Sequence, residues 1–200
     1  MYSHAMSSTP ERLIETTREL LWERGYVGTS PKAILQGAGV GQGSMYHHFT
    51  GKPDLALAAI RRTGEEMRAT VDRLLDAGGS ASARVEAYLL RERDVLRGCP
   101  VGRLTMDPDV LASEELRAPV DETIAYVRDR LAAVLQEGVD GGEFGAHVVP
   151  GDIAATIVAT VQGGYVLARA SGDTAAFDAG ARGLLALLAP APAAAPASAG

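Results

Sequence analysis

A chain of 200 residues with 46% hydrophobic and 22% charged residues is long enough to bury a core in one or two domains, and it is neither disordered throughout nor fibrous. One cysteine, Cys99, excludes an intramolecular disulfide framework; with no signal-peptide pattern, the expected compartment is the reducing cytoplasm. The net charge of −6 argues at first against a nucleic-acid partner, and no uninterrupted apolar run reaches the roughly 18 residues of a membrane span.

In chain order the signals are helical. Residues 1–9 are expected to be a flexible leader. From Pro10 to Arg24, Leu13, Thr17, Leu20 and Leu21 recur at helical spacing, with Gly25 as a stop. Ser30-Pro31 is an N-cap and first-turn pair for a short helix through Ile34 and Leu35. Gly37 to Gly41 reads as a turn, Gln42 to about Phe49 as a second short helix, and Thr50-Gly51-Lys52-Pro53 as the opening of a longer one. After a break at Gly78-Gly79-Ser80, Val85, Tyr88, Leu89 and Leu96 predict a helix ending at Gly98. Cys99 to Asp109 is expected to be irregular or a short helix. Ser113 then caps a long helix that stops near Gly138 to Gly142; Asp152 caps the next, and Asp173 begins the last. Residues 190–200, all Ala, Pro, Ser and Gly, read as a disordered tail. The pattern predicts an all-α chain with no strand: a three-helix head over 10–55 and a helical body over 56–189.

Charge is unevenly divided along the chain. Residues 1–62 hold seven Lys/Arg and five Asp/Glu, a net +2, and the remainder holds twelve and twenty, a net −8. Such asymmetry fits an N-terminal surface that meets a polyanion, although an ordinary solvated surface would look the same.

Thr29 to Lys52 narrows the choice. Two short helices around a glycine turn, with a third helix before them, have the sequence form of a helix-turn-helix. In the second, Val40, Met45 and Phe49 fall at core spacing, which turns Gln42, Ser44, Tyr46 and His47 outward. Gln42 can donate to and accept from a base edge, Gly43 permits close approach, and the hydroxyls of Ser44 and Tyr46 suit phosphate oxygens. Lys52 adds a cation beside the free N–H groups of a helix start, a favourable phosphate site.

Gly25-Tyr26, Thr29-Ser30, Ile34, Ala38-Gly39-Val40, Gly43-Ser44 and Tyr46-His47-His48-Phe49 followed by Lys52 resemble the DNA-binding domain of the TetR family of bacterial transcriptional regulators. The resemblance implies an all-helical homodimer that binds double-stranded operator DNA, dimerises through its last two helices, and is released when a small-molecule effector enters the C-terminal domain. It carries the operator contacts onto Ser30, Lys32, Gln42, Gly43, Ser44, Tyr46, His47 and Lys52, with Gln42 and Lys32 as base readers. Two positions depart from the family: Gly41 stands where Ser or Thr usually caps the recognition helix, and Leu35 replaces a common Ala. Gly98-Cys99-Pro100-Val101-Gly102, Glu114-Glu115-Leu116-Arg117 and the run Gly163 to Arg169 resemble a branch associated with drug-like or quinone-like effectors.

For the effector pocket the candidates are Met67, Tyr88, Arg91, Arg103, Met106, Tyr126, Gln162, Tyr165 and Arg169, polar-tipped or adaptable side chains on otherwise apolar helices. Arg103 or Arg169 suits an anionic effector or an ordinary ion pair. Gly163 and Gly164, mid-helix, fit either close helix approach at a dimer interface or a tolerated hinge. Trp22 is expected in the core of the head, with a ligand cage as the other reading. Cys99 is read as a small packed residue, with a redox sensor or thiol enzyme as the other readings. No metal site is expected, since adjacent His47 and His48 point about 100° apart on a helix, and no cofactor motif is matched. The reading is therefore a regulator rather than an enzyme, against the alternative of a helical binding module that has lost its DNA affinity.

Overall fold

The computed structural model describes residues 8–145 and 147–189, and every regular element among them is helical. The expected leader and tail fall mostly outside this range; Thr9, assigned to the leader, is the first residue of α1. The head comprises α1 (Thr9–Arg24), α2 (Pro31–Ala38) and α3 (Gln42–His48). Leu13, Ile34, Ala38, Met45 and Leu55 close its small core, and Leu13, Ile34, Met45 and Leu55 are fully buried. Ser30 caps α2, its hydroxyl accepting from the Ala33 N–H at 3.1 Å.

The turn between α2 and α3 is held from outside. Gly39 takes a left-handed conformation at φ 62°, which a glycine adopts without steric cost. The Arg12 guanidinium reaches across from α1 and donates to the Ala38 carbonyl at 3.0 Å and the Gly39 carbonyl at 2.9 Å, satisfying oxygens the helix end leaves free. Gly37 belongs to α2 and not to the turn, because the helix continues until Gly39 ends it.

Helix α4 (Lys52–Leu75) joins head to body: Leu55 lies in the head core, while Ile60, Val71 and Leu75 lie in the body core. The body adds α5 (Ala81–Leu90), a 3-10 turn (Gly102–Met106), α6 (Pro108–Ala112), α7 (Glu114–Asp140), α8 (Pro150–Ser171) and α9 (Ala175–Leu188). Helix α7 packs between α4 and α8, and α9 covers α8.

Three boundaries differ from the sequence expectation. Helix α5 stops at Leu90, not Gly98, because the Arg93 side chain folds back and donates to the Leu89 and Arg91 carbonyls at 2.8 and 2.9 Å; Leu96 is left exposed in an irregular stretch. Helix α8 starts at Pro150 behind Val149, so Asp152 sits in its first turn. Helix α9 starts at Ala175, with Asp173 accepting the Ala175 N–H at 3.1 Å just ahead of it. Helix α8 is also, by length and composition, apolar enough to cross a bilayer, at a mean hydropathy of 1.3. A search for unbroken apolar runs misses it because Asp152, Thr156, Thr160 and Gln162 interrupt the run. In the fold, its Ile157, Val161, Tyr165 and Ala168 are buried in the body core.

Candidate nucleic-acid interface and interior clefts

Only Met45 of α3 is buried, so the helix lies on the head like a handle, fastened at one point. Gln42, Gly43, Ser44, Tyr46 and His47 are all exposed, Tyr46 by 54%. Ser30, Lys32 and Gln42 line one shallow groove between α2 and α3, together with Gln36, which no sequence motif singled out. Gly41 opens α3 without a side-chain cap, and a Cβ at Gly43 would meet nothing within 4 Å. A surface of exposed amides, hydroxyls and imidazoles on a short protruding helix fits a major groove, which admits one helix and presents donors and acceptors at base edges.

The basic residues of the head are mostly engaged elsewhere. Arg18 binds Glu15 at 2.8 Å and also Glu66, Arg62 binds Glu11 at 3.0 Å, Arg24 lies 3.8 Å from Glu23, and Arg12 serves the α2–α3 turn. Lys32 is exposed, with no ion pair among the described residues. Lys52, the first residue of α4, is half-buried, with its Nζ 3.9 Å from the centre of the Tyr26 ring. Burial there holds the ammonium below the usual lysine range, partly offset by Asp107 and Asp109. The first N–H groups of α4 have no side-chain cap, because the N-cap residue is Gly51; Asp54 in the first turn reaches back to accept from the Thr50 N–H at 2.9 Å.

Trp22 does not join the head core. It is half-buried at the junction with the body, donating through Nε1 to the Gly98 carbonyl at 3.0 Å beneath the Arg97 guanidinium, 3.7 Å from the ring centre. The last turn of α1 packs against the segment 97–107, and this contact claims the indole. Asp107 completes the junction: one carboxylate oxygen accepts the Val27 N–H at 2.9 Å, and the other caps α6 through the Asp109 and Val110 N–H groups. The loop after α1 and the start of α6 thus share one buried side chain.

The same segment borders three hollows in the body. Met67, Tyr88, Arg91, Gln162 and Tyr165, five of the expected pocket residues, line an inner cavity of about 30 Å³, room for about one water. Ile124, Val127, Val158 and Val161 supply its apolar walls; sequence reading passed over them because apolar residues at helical spacing look the same in any core. Arg103, Met106 and Arg169 line an outer cleft of about 350 Å³, again with Gln162 and Tyr165. A third cleft, of about 280 Å³, lies beside Trp22 and Arg93. Tyr165 borders all three, and burial pushes its phenol up to about 12.

Tyr126 is set apart from these hollows. It faces the outer side of α4 and donates to Asp72 at 2.7 Å, beside the Arg130–Asp72 ion pair. Cys99 is buried and borders the inner cavity and the outer cleft, with its Sγ accepting the Gly102 N–H at 3.2 Å. Gly102 is a close approach: a Cβ there would stand 2.3 Å from the Gln162 side-chain oxygen. Of the glycine pair in α8, Gly164 packs on Phe177 of α9, where a Cβ would lie 2.7 Å from the ring, whereas Gly163 faces open space.

A three-helix head that presents a helix-turn-helix, joined by one long helix to a hollow helical body, is the form of a DNA-binding transcriptional regulator. Residues 13–59 match the family described as bacterial regulatory proteins, tetR family, and residues 70–184 match the tetracyclin repressor-like C-terminal domain. This chain belongs to the TetR family. Among relatives, the HTH-type transcriptional repressor NemR of Escherichia coli is 28% identical over 145 residues, covering 69% of this chain and 72% of that protein. An HTH-type regulator of Lactococcus lactis is 25% identical over 180 residues, covering 86% and 89%. The reduced form of E. coli NemR superposes with a TM-score of 0.80 at 23% identity, over 92% of this chain and 98% of that one. A TetR-family regulator of Agrobacterium tumefaciens superposes at 0.83 and 25% identity, over 91% and 98%.

Proposed function

We propose that the protein is a cytoplasmic, homodimeric repressor that binds a twofold-symmetric operator and leaves it when a small molecule enters the body. The observation that carries this reading is the double use of segment 97–107. It lines the clefts through Cys99, Gly102 and Arg103, and it grips the end of α1 through the Gly98 carbonyl, Arg97 and Asp107. A ligand that displaces this segment pulls on the head, and the difference in ligand affinity between the two head positions sets how far the operator equilibrium shifts.

Dimerisation is supported by apolar side chains that the single chain leaves uncovered: Leu167 on α8 and Leu187 on α9 are 57% and 81% exposed. Gly163, open on the same helix, would allow a second copy of α8 to approach closely. Two copies would present two α3 helices to major grooves about 34 Å apart. Ser30, Lys32, Gln42, Gly43, Ser44, Tyr46 and His47 are the proposed contacts to the groove and its phosphates, with Lys52 a backbone contact at the start of α4. No catalytic step, cofactor or membrane contact belongs to this reading.

A gel-shift experiment with the DNA upstream of the protein's own gene tests it. A sequence-specific, salt-sensitive complex of two chains per symmetric site is expected. The absence of such a complex on that region and on any genomic fragment would return the chain to a helical module without operator affinity. In the same experiment Lys52→Ala should weaken all sequences alike and lower the salt slope by about one; a loss confined to one sequence would move Lys52 from the backbone to a base.

A further inference from the structure

Arginines divide the three hollows that segment 97–107 borders. The cleft beside Trp22 contains Arg91 and Arg93, but Glu19, Glu66, Glu92 and Asp94 share its lining, and Arg93 already caps α5. The inner cavity has the volume of about one water and admits no effector as it stands. The outer cleft differs from the first in charge and from the second in size. Its wall has two guanidiniums, Arg103 from the 3-10 turn and Arg169 from α8, and no carboxylate. Neither arginine has an ion pair or hydrogen-bond partner among the described residues, and the Arg103 Nε is buried with no acceptor. A buried, charged N–H without an acceptor is unfavourable, and a guanidinium matches the two oxygens of a carboxylate better than any other side chain does.

The rest of the cleft is mostly apolar apart from Gln162. Met106 is 83% exposed at its mouth, Val166 lies on the α8 side, and Cys99 and Tyr165 form a wall shared with the inner cavity. At about 350 Å³ the cleft is at the small end of the range for organic ligands. That volume suits a body of one ring or a short acyl chain.

We infer that the effector is a small organic carboxylate, its charged group held between Arg103 and Arg169 and its apolar body laid along Met106, Tyr165 and Cys99. The inference rests on the repressor reading above and names the ligand class of that same site. It also departs from the drug-like or quinone-like effector that the sequence resemblance implies, because a neutral quinone brings carbonyl acceptors but no negative charge to two unpaired guanidiniums.

The experiment uses the full chain and three acids, benzoate, cinnamate and hexanoate, each beside its neutral amide, with tetramethyl-p-benzoquinone as a neutral quinone. Melting temperature and a binding isotherm are read, and the operator complex is followed by gel shift. At least one acid should raise the melting temperature and dissolve the operator complex, while its amide and the quinone do neither. Arg103→Gln should weaken that acid roughly tenfold or more, and Arg103→Lys, which keeps the charge but loses the fork, should restore part of the loss. Arg169→Gln, on an exposed site where misfolding is not at issue, should weaken the same acid.

Equal binding of acid and amide, no response to any of the three acids, or undiminished acid binding by both arginine variants would each overturn the inference. So would a change in oligomeric state on Arg169→Gln with the acid response intact, since that arginine would then serve a second copy of the chain. Failure of the repressor reading has a separate sign: no operator complex in the absence of every probe.

Discussion

The seam between α1 and α4 and the outer cleft of the body use arginine in opposite ways, and the sum of charges announces neither. Within the net-positive first 62 residues, Arg12 holds the α2–α3 turn, and Arg18 and Arg62 tie α1 to α4 through Glu66 and Glu11. Their charge is neutralised by partners within the chain, and the proposed reading surface is left with exposed Gln, Ser, Tyr and His. In the net-negative body, Arg103 and Arg169 remain without a carboxylate in a hollow that no acidic side chain lines. The lesson is that net charge counts ions but not partners: whether a cation is free for a ligand depends on what the fold has already placed against it.

The strongest test of this contrast separates the head's core from its surface. Met45 is the one buried residue of α3 and is fully enclosed by the head cluster. Met45→Ala should cost about 2–5 kcal/mol of head stability and abolish the operator complex. The body core shares no residue with that cluster except through partly buried Ile14, so ligand binding in the outer cleft should persist. Chemical denaturation with parallel gel shifts would check this; loss of both activities together would show that head and body fold as one unit.

A smaller loss is expected from Arg12→Ala, about 1–3 kcal/mol, because two carbonyls at the end of α2 lose their donor. Arg61→Ala is the matched control. Arg61 is exposed and has no hydrogen bond or ion pair among the described residues, so the change should stay within about 0.5 kcal/mol. Equal effects of the two substitutions on thermal unfolding would contradict the division of the head's cations into structural and free.

These two residues also show what the sequence could and could not convey. The head was legible because its instructions are local. Ser30-Pro31 starts one helix and Gly39 ends it, and the spacing of Val40, Met45 and Phe49 fixes the face of the next, all within about twenty residues. Arg12 read only as a unit of charge, because its partners lie 26 and 27 positions away. The body was harder for the same reason. Arg103 and Arg169 come from elements 66 positions apart in sequence and are brought to one cleft by the packing of α8 beside the 3-10 turn. An indole on an apolar helix face reads as core of the head, and nothing local to Trp22 points to its acceptor, the Gly98 carbonyl 76 positions on. The stop of α5 at Leu90 escaped notice too, because an arginine side chain ended the helix where no Gly or Pro announced it.

At the reading surface the effects should appear in preference rather than stability. Gln42 is exposed at the first position of α3 and shares its groove with Lys32. Gln42→Ala should leave unfolding unchanged and relax base preference at one operator position by about 1–3 kcal/mol, read by gel shifts on single-base operator variants. If every variant site keeps its rank, base reading passes to Lys32, or to Gln36 beside it.

The finest test sets the two requirements of the head against each other at a single methyl group. Gly43 is helical and exposed, and a Cβ there would meet no atom within 4 Å in the free protein. Nothing in the fold therefore calls for glycine, and alanine should stabilise α3 by up to about 1 kcal/mol, seen as a higher melting temperature. The glycine makes sense only if something outside the chain approaches that point. Gly43→Ala should accordingly bind the operator more weakly while unfolding at a higher temperature, a pairing that a purely structural glycine would not give. A rise in both stability and operator affinity would remove Gly43 from the interface and leave α3 to read DNA through its side chains alone.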